Sequence, residues 1–178
     1  IKKLIIQKDI LIIADYGHGI ITNKIANYLS KLKIFTCLNT QINSTNYGTH
    51  NINKYRNIDC VVINETELRH EMRDKDSNII ILTKKLLKKI VAKKIVVTRG
   101  NKGALILSND GKYVKCPAFA SNVKDKIGAG DTMQSILALL LKLEIEDDLS
   151  IFIASIAASK SVASLANSTY LDKRNILK

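Results

Sequence analysis

Apolar runs of strand length recur along the chain and alternate with segments of helical period. "ILIIAD" (Ile10 to Asp15), "KIFTCLN", "DCVVIN", "KIVVTRG" and "GALILS" each read as a strand apolar on both sides, and "KYVKCPA" reads as a further strand. Between them, "NKIANYLSKL" places Ile25, Leu29 and Leu32 on one stripe, "ETELRHEM" opens a helix, and "TKKLLKKIVA" is another. Two helices follow Gly130, one through Leu143 and one around Leu149 to Ala166. Strands without a polar face must be covered from both sides. The predicted fold class is therefore α/β, a mostly parallel sheet with helices on both faces.

In such sheets ligands bind beyond the carboxyl ends of the strands. Four segments fall there: "DYGHG", "NTQINSTNYGTHN", "NETE" and "TRGNKG". A fifth stretch, "DKIGAGDTMQSILALLL", puts Gly128, Ala129, Gly130 and Asp131 at the mouth of a strongly apolar helix, which is expected to be buried along most of its length. The first N–H groups of a helix lack internal partners and sit at its positive end, so small residues there leave an anion site. An acid beside an anion site makes chemical sense if it takes a proton from a hydroxyl that attacks a phosphate. The plain alternative is a glycine-rich turn with Asp131 as an ordinary first-turn acid. "NETE" also has two readings. Asn64 and Glu67 share a helix face, where Asn64 would contact phosphate and Glu67 would hold water on Mg²⁺; or Asn64 caps the helix and Glu67 completes a capping box.

Composition excludes other classes. The chain has 178 residues, 46% hydrophobic and 25% charged, a globular balance. Its longest apolar run, Ile136 to Leu141, is too short to span a membrane. The first residues carry no cleavage site of the kind a signal peptide has. Cys37, Cys60 and Cys116 fit neither a zinc spacing nor a disulfide framework and are expected as reduced thiols in or near strands. The net charge of +12 invites a nucleic-acid reading, but the lysines are spread out, and the cluster from Lys84 to Lys94 is a solvated helix face without aromatic interleaving. No specific nucleic-acid partner is expected.

"DKIGAGD" (Asp125 to Asp131) resembles the D-T-x-G-A-G-D signature of the PfkB carbohydrate kinases, the ribokinase superfamily. "NETE" matches that family's N-x-x-E motif, "VTRGNKGALIL" resembles its V-T-x-G-x-x-G strand and turn, and the three occur in family order. "IIADYGHGIIT" resembles the D-Y-G-K-G segment of the heptose-phosphate kinase branch. The resemblance implies ATP-dependent phosphorylation of a sugar or sugar-phosphate hydroxyl, with Mg²⁺, in the cytoplasm. It implies Asp131 as catalytic base and Gly128, Ala129 and Gly130 as the anion hole. Asn64 and Glu67 would serve phosphate and, through water, Mg²⁺; Thr98, Gly100, Gly103 and Asn167 would lie along the nucleotide. Asp15, His18 and Asn39 are candidate substrate contacts, with His18 equally readable as a plain loop residue.

The partners it implies are a small-molecule sugar or sugar phosphate, a fused or associated nucleotidyltransferase and a second copy in a homodimer, with no membrane. Three departures stand out: Lys126 replaces a small Thr, Met133 replaces an aromatic, and His18 stands where heptose kinases have Lys. The pattern starts midway through the family, so residues 1–178 are expected to be a single, partial PfkB-type domain with the N-terminal portion missing. The alternative from another class is a truncated, non-catalytic nucleotide-binding remnant.

Overall fold

The computed structural model describes residues 5, 7–43, 46, 52–120 and 128–162. Its elements run β1 (Ile10–Asp15), α1 (Asn23–Leu29), β2 (Phe35–Thr40), a short 3₁₀ turn (Ile52–Lys54), β3 (Cys60–Asn64), α2 (Glu65–Met72), α3 (Ile79–Ile90), β4 (Lys94–Thr98), β5 (Ala104–Ser108), β6 (Tyr113–Cys116), α4 (Ala129–Lys142) and α5 (Asp147–Val162). The strands form one sheet in sequence order, β1 to β6. β1 through β4 pair in parallel, and β5 and β6 return antiparallel as hairpins.

Alternate residues of each strand serve different cores. Val61 and Ile63 join Leu38, Ile95 and Val97 beneath Ala26, Leu68, Leu82, Leu86 and Ile90 of α1, α2 and α3. Cys60 and Val62 join Cys37, Val96 and Ile106 beneath Met133, Leu137 and Leu141 of α4 and Ile151 and Ala154 of α5. This is why β3, β4 and β5 have no polar face: helices cover both sides there, whereas the edge strands β1 and β6 keep exposed positions at Ile12, Tyr113 and Lys115. All the connecting helices between the parallel strands lie on one face while the sheet grows in one direction, as uniform crossover handedness demands. α4 and α5 then return across the opposite face. α5 packs on β5 and β6, and α4 reaches back to β1 and β2.

α4 departs from its sequence expectation in one respect. Leu137 and Leu141 are buried, worth roughly 1.5–3 kcal/mol each in transfer terms. Leu140 is half-buried, and Leu139 is 51% exposed. A helix between two partners has a third side, and the apolar run covers it too. Among the described residues, no helix is long and apolar enough to cross a membrane.

Candidate active site

The carboxyl ends of β1 to β4 carry the selected segments. Asn64 ends β3 and stands in register with Thr98 at the end of β4. Asn64 caps α2: its side chain accepts from the Glu67 N–H at 2.8 Å, and Glu67 Oε2 accepts from the Asn64 N–H at 3.1 Å. The capping box is thus formed. Glu67 Oε1 takes the Ile42 N–H at 3.3 Å, tying α2 to the segment after β2. Burial pushes the Glu67 carboxyl above its ordinary value, against the hydrogen bonds it accepts.

Each Glu67 oxygen keeps one lone-pair direction for a water. Among the described residues no three His, Cys, Asp or Glu side chains converge on a possible metal position. A Mg²⁺ ion held mainly by water and phosphate oxygens, with Glu67 in its outer shell, fits that donor set; an all-protein cage does not. Beside Glu67, Glu65 accepts from Arg69 and from Arg99 Nε at 2.8 Å, and the Arg99 guanidinium holds its carboxyl below the usual range.

α4 begins at the same edge. Gly128 is its N-cap with φ 84°, a left-handed conformation suited to glycine, and it brings no side chain to cap the helix. The first N–H groups, of Ala129, Gly130 and Asp131, therefore have no intrahelical partner. Asp131 does not close this end as a capping acid. Its Oδ2 accepts from the Tyr16 hydroxyl at 3.0 Å, and its Oδ1 is shielded from solvent with no partner among the described residues. An isolated buried acceptor costs about 1–3 kcal/mol, more when charged, so this oxygen is poised to accept from a water or a ligand hydroxyl.

The "DYGHG" segment brings Tyr16 there. Asp15 is 3% exposed, and its carboxylate accepts from the Tyr55 hydroxyl at 2.7 Å, the Gly17 N–H at 3.0 Å and Lys54 Nζ at 2.6 Å. Burial raises the Asp15 pKa, but these donors outweigh it and hold the carboxyl below its ordinary value. Burial and then the bond to Asp15 push the Tyr55 hydroxyl far above a normal phenol. Asp15 is therefore committed inside the protein, on the α1 side of the sheet. The Tyr16 carbonyl accepts from Asn43 Nδ2 and Asn46 Nδ2, each at 3.0 Å. Asn39, 5% exposed, donates from Nδ2 to the Val62 carbonyl at 3.0 Å, while its Oδ1 is a second buried acceptor without a partner.

The contacts thus run from Asp131 through Tyr16 and the residues after β2 to Glu67, Asn64 and Thr98. His18 is exposed on its bend and Gly100 on its turn, while Gly103 packs against the backbone of Cys116 to Ala118. Asn167, Asp125 and Lys126 lie outside the described residues. Sequence reasoning missed Tyr16, Tyr55, Lys54 and Gln134. The strand-end rule had selected the Tyr16 segment, but nothing in the residue order links position 16 to position 131.

This sheet and its helical layers are found in known proteins. Thermotoga maritima ribokinase superposes with a TM-score of 0.79 at 18% identity over 98% of this chain and 57% of its own. Phosphofructokinase-2 of Escherichia coli, in complex with substrates and products, gives 0.79 at 17% identity over 99% and 58%. Arabidopsis thaliana ribokinase, complexed with ribose and ATP, gives 0.77 at 22% over 95% and 55%. The fold is thus ribokinase-like. Among curated relatives, proteins described as bifunctional protein HldE from Bradyrhizobium diazoefficiens and Desulfatibacillum aliphaticivorans are 26% and 29% identical over 90% and 92% of this chain. The chain spans 33% of the length of each. Residues 24–173, which take in α1, the sheet from β2 onward, the "NETE" cap and the open end of α4, match the pfkB family carbohydrate kinase description, and the chain belongs to that family.

Proposed function

We propose that the full-length protein transfers the γ-phosphoryl group of ATP to a hydroxyl of a sugar or sugar phosphate, with Asp131 as general base. The observation that carries this reading is the buried, unpartnered Oδ1 of Asp131 at an uncapped helix N-terminus. In this reading Oδ1 accepts the proton of the attacking hydroxyl. The acceptor oxygen bonds to the γ-phosphorus, the bond to the bridging oxygen breaks, and ADP leaves with the electron pair. The N–H groups at Gly128, Ala129 and Gly130, with the dipole of the fourteen-residue α4, face the charge on the transferred group. Mg²⁺ would neutralise phosphate charge when bound, and Glu67 and Asn64 would hold its water shell and a phosphate oxygen. Thr98, Gly100, Gly103 and Asn167 would flank the nucleotide, and His18 and Asn39 the acceptor. Asp15 would serve by holding its loop.

The resemblance of "DYGHG" to the heptose-phosphate kinase segment supports a heptose phosphate as acceptor. The partners that the family resemblance implies complete this reading: a cytoplasmic kinase that pairs with a second copy and with a fused or associated nucleotidyltransferase. The test uses the full-length gene product with Mg-ATP and three acceptors: D-ribose, D-fructose 6-phosphate and a heptose monophosphate. The heptose monophosphate is expected to release ADP fastest. Asp131→Asn is expected to lower that rate by about 10²–10⁴-fold. An Asp131→Asn enzyme at full rate removes the base assignment, and no turnover of any acceptor overturns the kinase reading in favour of a non-catalytic remnant.

A further inference from the structure

We propose that Tyr16 is a positioning residue for Asp131: its hydroxyl pins one carboxylate oxygen so that the other is presented to the acceptor. This rests on the reading of Asp131 as the base. A carboxylate at the third position of a helix can turn about its Cβ–Cγ bond and can bend back to the N-cap N–H, which would cap the helix and withdraw the base. Asp131 does neither. Oδ2 is occupied by the Tyr16 hydroxyl at 3.0 Å, and Oδ1 is left buried and without a partner. The two oxygens of one carboxylate are thereby made unequal.

The pin must itself be fixed to be useful, and Tyr16 is fixed through its backbone. Its carbonyl takes two amide donors, Asn43 Nδ2 and Asn46 Nδ2. The preceding residue is held by Tyr55 and Lys54 through the Asp15 carboxylate, and by the Gln41 N–H through the Asp15 carbonyl at 2.9 Å. The following residue donates its N–H to Asp15 Oδ1. Tyr16 is 40% exposed, so what it contributes is a hydroxyl at a chosen place more than apolar burial. Burial, and then the Asp131 carboxylate beside it, push the Tyr16 hydroxyl above an ordinary phenol, so it keeps its proton and remains a donor. The helix that bears the base comes from one face of the sheet, and the loop that aims it is locked from the other.

The experiment is a double-mutant cycle on the full-length protein with Mg-ATP and the fastest acceptor of the three above. Tyr16→Phe keeps the ring and removes only the hydroxyl. It is expected to lower kcat by about 10- to 100-fold, the usual effect of a slightly misplaced reacting group, while KM for ATP and acceptor and the melting temperature stay unchanged. In the Asp131→Asn background the same change is expected to alter the residual rate by less than about twofold, because the group it positions is gone. An unchanged kcat in Tyr16→Phe overturns the proposal. So does a raised acceptor KM at constant kcat, which would make Tyr16 a substrate contact, or an equal fall in both backgrounds. Failure of the base assignment is read separately, from the Asp131→Asn single variant.

Discussion

Gly130, in the first turn of α4, and Gly103, in the turn before β5, both belong to short glycine-containing segments, and their surroundings separate them. A Cβ built at Gly130 meets nothing within 4 Å, and its φ is not positive. The left-handed backbone of that turn falls on Gly128 instead. Gly130 therefore needs no glycine to fold, and Val at the second helical position changes helix propensity by less than about 1 kcal/mol. Gly130→Val is expected to melt within about 2 °C of the wild type. Its kinase rate should nonetheless fall by roughly 10²–10³-fold, because a branched side chain would crowd donors that must reach the transferred phosphate. Retained turnover would remove Gly130 from the anion hole.

Gly103 is the reverse case. Its φ is 79°, and a Cβ there would lie 2.0 Å from the Cys116 carbonyl oxygen and 2.7 Å from the Pro117 backbone. Gly103→Ala is expected to cost at least about 3 kcal/mol, read as a melting temperature lower by on the order of 10 °C. A stable Gly103→Ala protein would mean that the hairpin between β5 and β6 yields easily. The sequence gives both positions the same letter, and only the neighbouring strand tells them apart.

At the scale of elements, what was legible was what the local sequence controls. β1 and α2 fall where apolar runs and the Asn64 cap place them, because strand burial and capping are local chemistry. Helix ends were less legible. α2 and α3 close on left-handed Arg73 and Val91, and Glu144 just beyond α4 is left-handed too, none of them glycine, so the usual stop signal is missing. α3 also begins at Ile79, earlier than its lysine-rich half suggests, because Asn78 caps it.

The seating of α4 was not legible at all. Gln134, 1% exposed, donates from Nε2 to the Ile13 carbonyl at 2.9 Å and the Cys37 carbonyl at 3.1 Å. One polar side chain in an apolar helix thus bolts it across β1 and β2, one turn below Asp131. Gln134→Leu keeps the volume and orphans both bonds. It is expected to destabilise by about 1–3 kcal/mol in urea unfolding. It should also lower kcat more than KM, since the helix that carries the base loses its registration on the sheet. A variant with full stability and full kcat would show that apolar packing alone seats α4.

Across the whole molecule, the sheet and its two helical layers set an order in which parts can open, and the three cysteines report it. Cys37 and Cys60 stand in register on β2 and β3, both at 0% exposure beneath α4. Cys116 ends β6, an edge strand of four residues with a single neighbour, at 5% exposure. A thiol reagent needs both access and thiolate. The hydrogen bond that the Cys60 thiol makes to Cys37 and then burial push it well above its ordinary value, so it is disfavoured on both counts. Exposing Cys116 requires only the β6 end to fray, whereas exposing Cys37 or Cys60 requires α4 to lift from the interior strands. Peptide-level labelling of the native full-length protein is expected to modify Cys116 first, by a factor on the order of 100 over the other two. If α4 is also the phosphate-binding helix, a saturating non-hydrolysable ATP analogue stabilises only its seated state, by mass action. Cys37 and Cys60 should then be slowed further while Cys116 is unaffected. Equal slowing of all three would mean that nucleotide stabilises the molecule as one unit. Labelling of Cys60 ahead of Cys116 would contradict the order of opening that the sheet imposes.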